Sequence, residues 1–427
     1  MAIGRLKLGF VCAVLLCNLL LGRPAAAEVT ISKTDDWDIY TSGRVNGFLS
    51  YGWGDANPIA LRMNSAIPLG GGLNVGSDSM PRMGGPDGMT YLQGTFQSLR
   101  VRSGFVPNVL SFGLRRNLSE TTTMKAVITI WGTIDSEGQR KGQIIYGNVQ
   151  EGYGKLEGPW GSLLAGRALD LFSRGATEND FLYGHGFSFG FPGNIDNNGP
   201  SAGLIGFGVM AAFFSPGIVY ATPSLAGLQL AVGLYDPTTL PGGYEATRYA
   251  RPEAELTYDL QVRSAKLHLF ANGLYQDVYL AGRNTKAKAY GVGYGGRIEA
   301  GPVHLGVAAH YGPGLGLAYA LQSGPISTSD TGELRTFDGY SALLQLVAGR
   351  LNFNLGWGIS RCFLLESDRV NGMSSILKRQ IGYSAAIVMH TTEHLHFSID
   401  ALRGDAAWFQ GEKQIFTFVN TGMTVTW

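Results

Sequence analysis

Over the last nine residues apolar and polar side chains trade places one by one, with Val419, Thr421, Met423, Val425 and Trp427 on one face and Asn420, Gly422, Thr424 and Thr426 on the other. That is the period of a β-strand and not of a helix. Leu351, Phe353, Leu355, Trp357 and Ile359 alternate in the same way with Asn352, Asn354, Gly356, Gly358 and Ser360. So do Val303 to Ala309 with His304 to His310, and Leu395 to Ile399 with His394 to Asp400. Strands are predicted near 37–50, 97–117, 122–134, 143–156, 161–169, 207–222, 227–235 and 249–259. Eight more follow near 264–277, 287–300, 302–312, 338–349, 351–363, 377–391, 394–403 and 413–427. About sixteen two-faced strands can close as a membrane barrel or stack as a sandwich.

Composition separates these two. Charged residues make up 15% of the chain, against roughly 25% in soluble domains, while 62 Gly, 19 Tyr and 21 Phe are many. The exposed face of a sandwich would carry more Lys and Glu to meet bulk water. No mature stretch reaches the ~18 apolar residues of a spanning helix, and in lipid only helices and closed barrels satisfy every backbone group. The expected fold is all-β, a transmembrane antiparallel β-barrel of about 16 strands.

Residues 1–27 read as a cleaved export signal: Arg5 and Lys7, an apolar run from Leu8 to Leu21, then Ala25, Ala26 and Ala27 as the cut site. Residues 28–427 then form one barrel domain. The formal net charge of +1 falls to −2 when Arg5, Lys7 and Arg23 leave with the signal, so no nucleic-acid footprint remains. Cys362 stays as the single thiol, and no intrachain disulfide is expected. Its small apolar side chain suits it to filling space.

Connections alternate in length. Ser224 to Gly227 and Gly349-Arg350 are short, whereas Trp53 to Gln93 and Asp170 to about Gly206 are long, as short turns on one barrel rim and long loops on the other require.

Several segments, in order along nearly the whole mature chain, resemble the general porin family of Gram-negative bacteria. They are Tyr40 to Phe48, Phe112 to Arg115 with Trp131-Gly132, Tyr153 to Arg167 around Gly158-Pro159-Trp160-Gly161, Ile218 to Leu228, and the terminal aromatic Trp427. The resemblance implies a sixteen-stranded homotrimer in the outer membrane, in contact with its lipid. Its third outer loop, following strand five, would fold inward to narrow the pore. Here that loop is 170–206, where Thr177 to Asp180 suggests a capped helical turn. Its many aromatics, Phe181, Tyr183, Phe187, Phe189 and Phe191, depart from the family's charged eyelet.

The expected activity is passive diffusion of small hydrophilic solutes and ions through a water-filled pore, with no enzyme chemistry and no cofactor. The expected constriction sets Asp170, Glu178, Asp180 and Asp196 of the loop against Arg44, Arg100 and Arg102 on the wall. Arg167 groups by parity with Leu163 and Ala165 and reads as a brace. Two rival readings are a substrate-specific channel, for example for sugars along the aromatic loop, and an outer-membrane hydrolase. The latter would use Ser188 in Gly186-Phe187-Ser188-Phe189-Gly190, but no strand-turn-helix surrounds it. Gly291 to Gly296 has dinucleotide-loop spacing yet reads as the small face of a strand. His390, His394 and His396 have the donors for a metal and are read as lumen residues near a turn, with no metal expected.

Overall fold

The computed structural model describes residues 28–34, 36–55, 95–132, 134, 148–181, 189–191, 194–199, 203–238, 240, 244–245, 249–280, 286–321, 333–370, 376–409 and 411–427. The proposed export signal, most of the first long loop, and Tyr183, Phe187 and Ser188 lie outside them.

In chain order the elements are β1 Val29–Lys33, β2 Asp38–Asp55, β3 Thr95–Arg102, β4 Asn108–Asn117, β5 Thr123–Gly132, β6 Asn148–Gly158, β7 Gly161–Leu169, α1 Arg174–Asn179, β8 Phe189–Phe191 and β9 Asn194–Gly199. There follow β10 Phe214–Ala221, β11 Leu228–Tyr235, β12 Tyr244–Glu245, β13 Arg251–Val262, β14 Ala265–Leu280, β15 Lys286–Ala300, β16 Val303–Pro313, β17 Thr336–Ala348, β18 Leu351–Phe363, α2 Glu366–Val370, β19 Leu377–His390, β20 Leu395–Trp408 and β21 Lys413–Thr426. Each wall strand pairs antiparallel with the next, and β21 pairs back onto β2. With β3 and β4 counted as one interrupted strand, sixteen strands close among the described residues. Closure leaves no sheet edge, which is what hydrocarbon demands of a spanning sheet.

The alternation sets the two faces. Val45, Leu49, Tyr51 and Trp53 point outward and are exposed, while Asn46, Phe48 and Ser50 between them are buried inside. No described helix is long and apolar enough to cross a membrane; the strands carry the apolar outer band.

Strand two breaks at 103–107, where a continuous strand was expected. Pro107 has no N–H to give to a ladder. Asn46 repairs the gap: its Nδ2 donates to the carbonyls of Val106 (2.9 Å) and Pro107 (3.1 Å), and its Oδ1 accepts from the Gly104 amide (2.7 Å). The sixth strand begins at Phe214 rather than at 207, because Phe207 to Phe213 belong to an inward loop.

The chain ends seal the barrel. Gly43 N–H donates to the Trp427 carbonyl (2.8 Å) and Trp427 N–H to the Gly43 carbonyl (3.1 Å), and β1 continues the pairing down β2. The indole lies on the bare Gly43, where a Cβ would meet it at 2.6 Å. Deleting Trp427 is expected to remove most of the barrel that resists unfolding in detergent, read as loss of the fast-migrating form in unboiled gel samples. Unchanged amounts of that form would refute the role.

Candidate functional site

The segment between β7 and β10 enters the barrel and crosses its inner wall. Its first turn is held by charge. Arg251 of β13 is buried, with Nη2 donating to Asp170 Oδ2 (2.8 Å), Nη1 to Thr238 Oγ1 (2.5 Å) and Nε 2.9 Å from Glu253 Oε1. Ser215 Oγ also donates to Asp170 Oδ2 (2.9 Å), and Glu253 Oε2 accepts the Phe172 amide (2.8 Å). Burial raises the Asp170 carboxyl, and the Arg251 guanidinium beside it opposes that rise. Arg174 of α1 pairs with Glu255. Removing one partner from such a buried cluster strands the others and costs about 3–5 kcal/mol.

α1 then lies across β14, β15 and β16. Asn179 Nδ2 donates to the carbonyls of Gly296 (3.0 Å) and Val307 (2.9 Å), and Gly175 sits on the Phe270 ring. The helix spans Arg174–Asn179, and Thr177 works in its last turn, not as its cap. The Thr177 hydroxyl donates to the Ser173 carbonyl (3.0 Å) and accepts the Ala212 amide (3.1 Å). Asp180 is buried and accepts the Leu204 amide (2.7 Å), tying the outgoing limb to the returning one.

The returning limb is apolar. Leu204, Ile205, Phe207 and Val209 are fully buried against Leu343, Ala386, Leu402, Phe416 and Phe418 of the wall. Burying each large side chain gives roughly 1.5–3 kcal/mol, which offsets the ~1–2 kcal/mol of backbone ordering per residue. At the tip, Gly208 N–H donates to Ser360 Oγ (2.9 Å), Gln380 to the Gly206 carbonyl, and Phe207 rests on Gly358 and Gly382.

A second inward segment, 314–321 between β16 and β17, escaped the sequence reading. Ala211 N–H donates to the Ala318 carbonyl (2.8 Å), joining the two loops in the lumen. Tyr319 then meets Phe213 (centroids 5.9 Å) and, from the opposite wall, Phe105 of the break in strand two (6.2 Å). Just before β17, Arg335 makes a buried bidentate pair with Asp368 of α2 at 2.8 and 2.6 Å, and its carbonyl accepts the Gly314 amide (2.9 Å). Cys362 fills apolar space beside it. The signal that was available is the run Gly312, Gly314 and Gly316 around Leu315 and Leu317, too apolar for an outer loop in water.

The expected constriction residues separate. Arg44, Arg100 and Arg102 share the inward face, Arg102 beside Phe48 and Arg100 beside Ser50. Asp170 and Asp180 are buried in the loop's own anchors and do not present carboxylates to the lumen, because desolvating a carboxylate requires the close partners that Arg251, Ser215 and Leu204 supply. Glu178 is exposed, and its carbonyl accepts from Arg297 (3.4 Å). Asp196 falls in β9, whose side chains lie outside the described set. Lower on the wall, Lys125 and Lys155 share Glu157 at 2.7 and 2.6 Å. Arg167 follows the outward parity of Leu163 and Ala165, its Nε donating to the Gln150 carbonyl (3.1 Å). The anchor residues were missed, although Arg251, Glu253 and Glu255 at alternate positions already mark a charged strand face in need of partners.

A closed barrel of sixteen strands with the loop after the fifth folded inside matches solved outer-membrane barrels along its length. The outer membrane channel DcaP of Acinetobacter baumannii is 14% identical, covers 93% of this chain and 100% of its own, and has a TM-score of 0.64. This is the porin fold. The anion-selective porin of Comamonas acidovorans shares it at 12% identity, 92% and 100% coverage and a TM-score of 0.59. So does OmpT, an outer membrane protein of Vibrio cholerae, in its trimer form, at 9% identity, 92% and 100% coverage and a TM-score of 0.52. No family model and no curated protein matches the chain in sequence.

Proposed function

We propose that this protein is an outer-membrane porin of a Gram-negative bacterium, passing small hydrophilic solutes and ions by diffusion and catalysing nothing. The observation that carries this is the inverted barrel, apolar outside and polar inside, with two loops folded into the lumen to set its width. The solved channels of the same fold support the setting, and the trimer form of one of them supports a homotrimer here. Outer-membrane lipid would face the apolar band.

We further infer a preference for anions. With Asp170 and Asp180 withdrawn into anchors, Arg44 and Arg100 are partly exposed on the inner face while Arg102 is buried beside Phe48, and one relative in fold is named as anion-selective. Planar bilayers with the purified protein should show discrete conductance steps, with a reversal potential in a salt gradient of anion-preferring sign. Absence of any conductance from folded protein would overturn the reading.

A second reading, a substrate-selective channel, rests on Phe105, Tyr319 and Phe213 meeting inside the lumen. Liposome swelling distinguishes it: a general pore ranks solutes by size, whereas a selective one favours a chemical class out of that order.

A further inference from the structure

Two histidines on neighbouring strands face each other on the inner wall at the short-turn rim. His390 of β19 and His396 of β20 are direct cross-strand partners, their rings T-shaped with centroids 4.6 Å apart. Their Nδ1 atoms lie 2.7 Å apart, so one nitrogen carries the proton and the other accepts it. Asn352 of β18 reaches the far nitrogen, Nδ2 to His390 Nε2 at 3.0 Å. Both rings are half-buried and on the inward parity of Ser384 and Ser398.

We propose that His390 and His396 form a two-imidazole site for a divalent transition-metal ion, Cu2+ foremost, at this mouth of the barrel. Cross-strand partners hold their Cβ atoms about 4.5–5.5 Å apart on one face, so the two rings converge without ordering a loop. Metal–imidazole bonds of about 2.0–2.1 Å require donor nitrogens roughly 3 Å apart, and these stand a few tenths of an ångström short of that. With both Nδ1 atoms on the metal, each ring keeps its proton on Nε2. The proton that lay between them moves to Nε2 through solvent. Asn352 then turns its amide oxygen to accept from His390 Nε2, the outer contact that fixes a ligand's tautomer. Copper heads the divalent series for imidazole donors, and lumen water or anions complete its coordination.

Charge around the pair is mixed. Arg44 stands two residues along from Asn46 on the β2 face that continues the row, and the Arg350 carbonyl accepts the His390 amide. His394 is near but engaged elsewhere, with Nδ1 on the Thr426 carbonyl (3.0 Å) and Nε2 3.4 Å from Glu393. Three-donor metal clusters are absent among the described residues, so the site is a chelate of two with exchangeable remaining positions.

Electron paramagnetic resonance of the folded full chain titrated with Cu2+ tests this. The expected spectrum shows two imidazole nitrogens, and His390→Gln and His396→Gln should each weaken binding about 100-fold, as losing one of two tethered donors does. His394→Gln should change nothing. Wild-type affinity in the first two variants, or equal loss in His394→Gln, overturns the proposal. Should a variant fail to fold, the wild type alone decides, since a Cu2+ spectrum without imidazole nitrogens also overturns it.

Discussion

Replacing Arg44 and Arg100 together with Gln is expected to raise the cation-to-anion permeability ratio about tenfold. A unit charge acting over about 8 Å at an effective dielectric near 40 contributes about 1 kcal/mol, or roughly fivefold in occupancy. Two such charges do not add fully, because salt at ~0.15 M screens over about 8 Å. Both arginines sit on one inward patch of β2 and β3, partly exposed, with Arg102 buried in the same patch. Reversal potentials in a tenfold salt gradient check this, and an unchanged value at unchanged conductance would show that the patch does not line the path. Glu178→Gln should move the ratio the other way and by less, since its carboxylate is exposed to water. Asp180→Asn should not act on selectivity directly, because that carboxylate holds the Leu204 amide.

Much of the barrel was legible because a strand with lipid on one side and water on the other writes its environment into every second residue. The 351–363 strand, read from Leu351, Phe353 and Leu355 against Asn352, Asn354 and Gly356, has those bounds in the structure. What the alternation does not encode is what covers the inner face. Gly356 and Gly358 read as small lumen residues, and they are, but they are small because Leu204 and Phe207 lie on them. The same limit hid the charge partners. Asp170 on a loop and Arg251 on a strand are 81 residues apart, and only the fold reveals that they meet. Of the four acidic loop residues expected at the constriction, Asp170 and Asp180 are the loop's fastenings. Strand two showed no break because Pro107 alone cannot say whether a chain bulges or merely lies with its missing N–H unpaired. The site is therefore less legible than the wall that carries it.

That cover can be removed without breaking the wall. Gly358→Val is expected to expel the tip of the inner loop and enlarge the conductance severalfold. A Cβ at Gly358 would overlap the Phe207 carbonyl oxygen, and the contact is backbone, which cannot swing aside as a side chain could. Gly382 opposite is also closed, its Cβ direction meeting Phe207 Cβ at 2.7 Å, so the tip has no adjacent groove to slide into. Loss of the docked tip frees Gly208 N–H from Ser360 and exposes Phe207, at a cost of a few kcal/mol for one buried aromatic side chain. The strand itself should gain, because β-branched Val favours a pleated surface where Gly does not. Its partners Ser341 and Gly382 on β17 and β19 stay paired through the backbone. The Asp170–Arg251 anchor lies at the other end of the loop and is untouched, so the segment should remain tethered while its tip moves. Single-channel recordings of Gly358→Val, with gel migration to confirm a closed barrel, decide the matter. Wild-type conductance in a folded variant would show that the docked tip does not limit the pore.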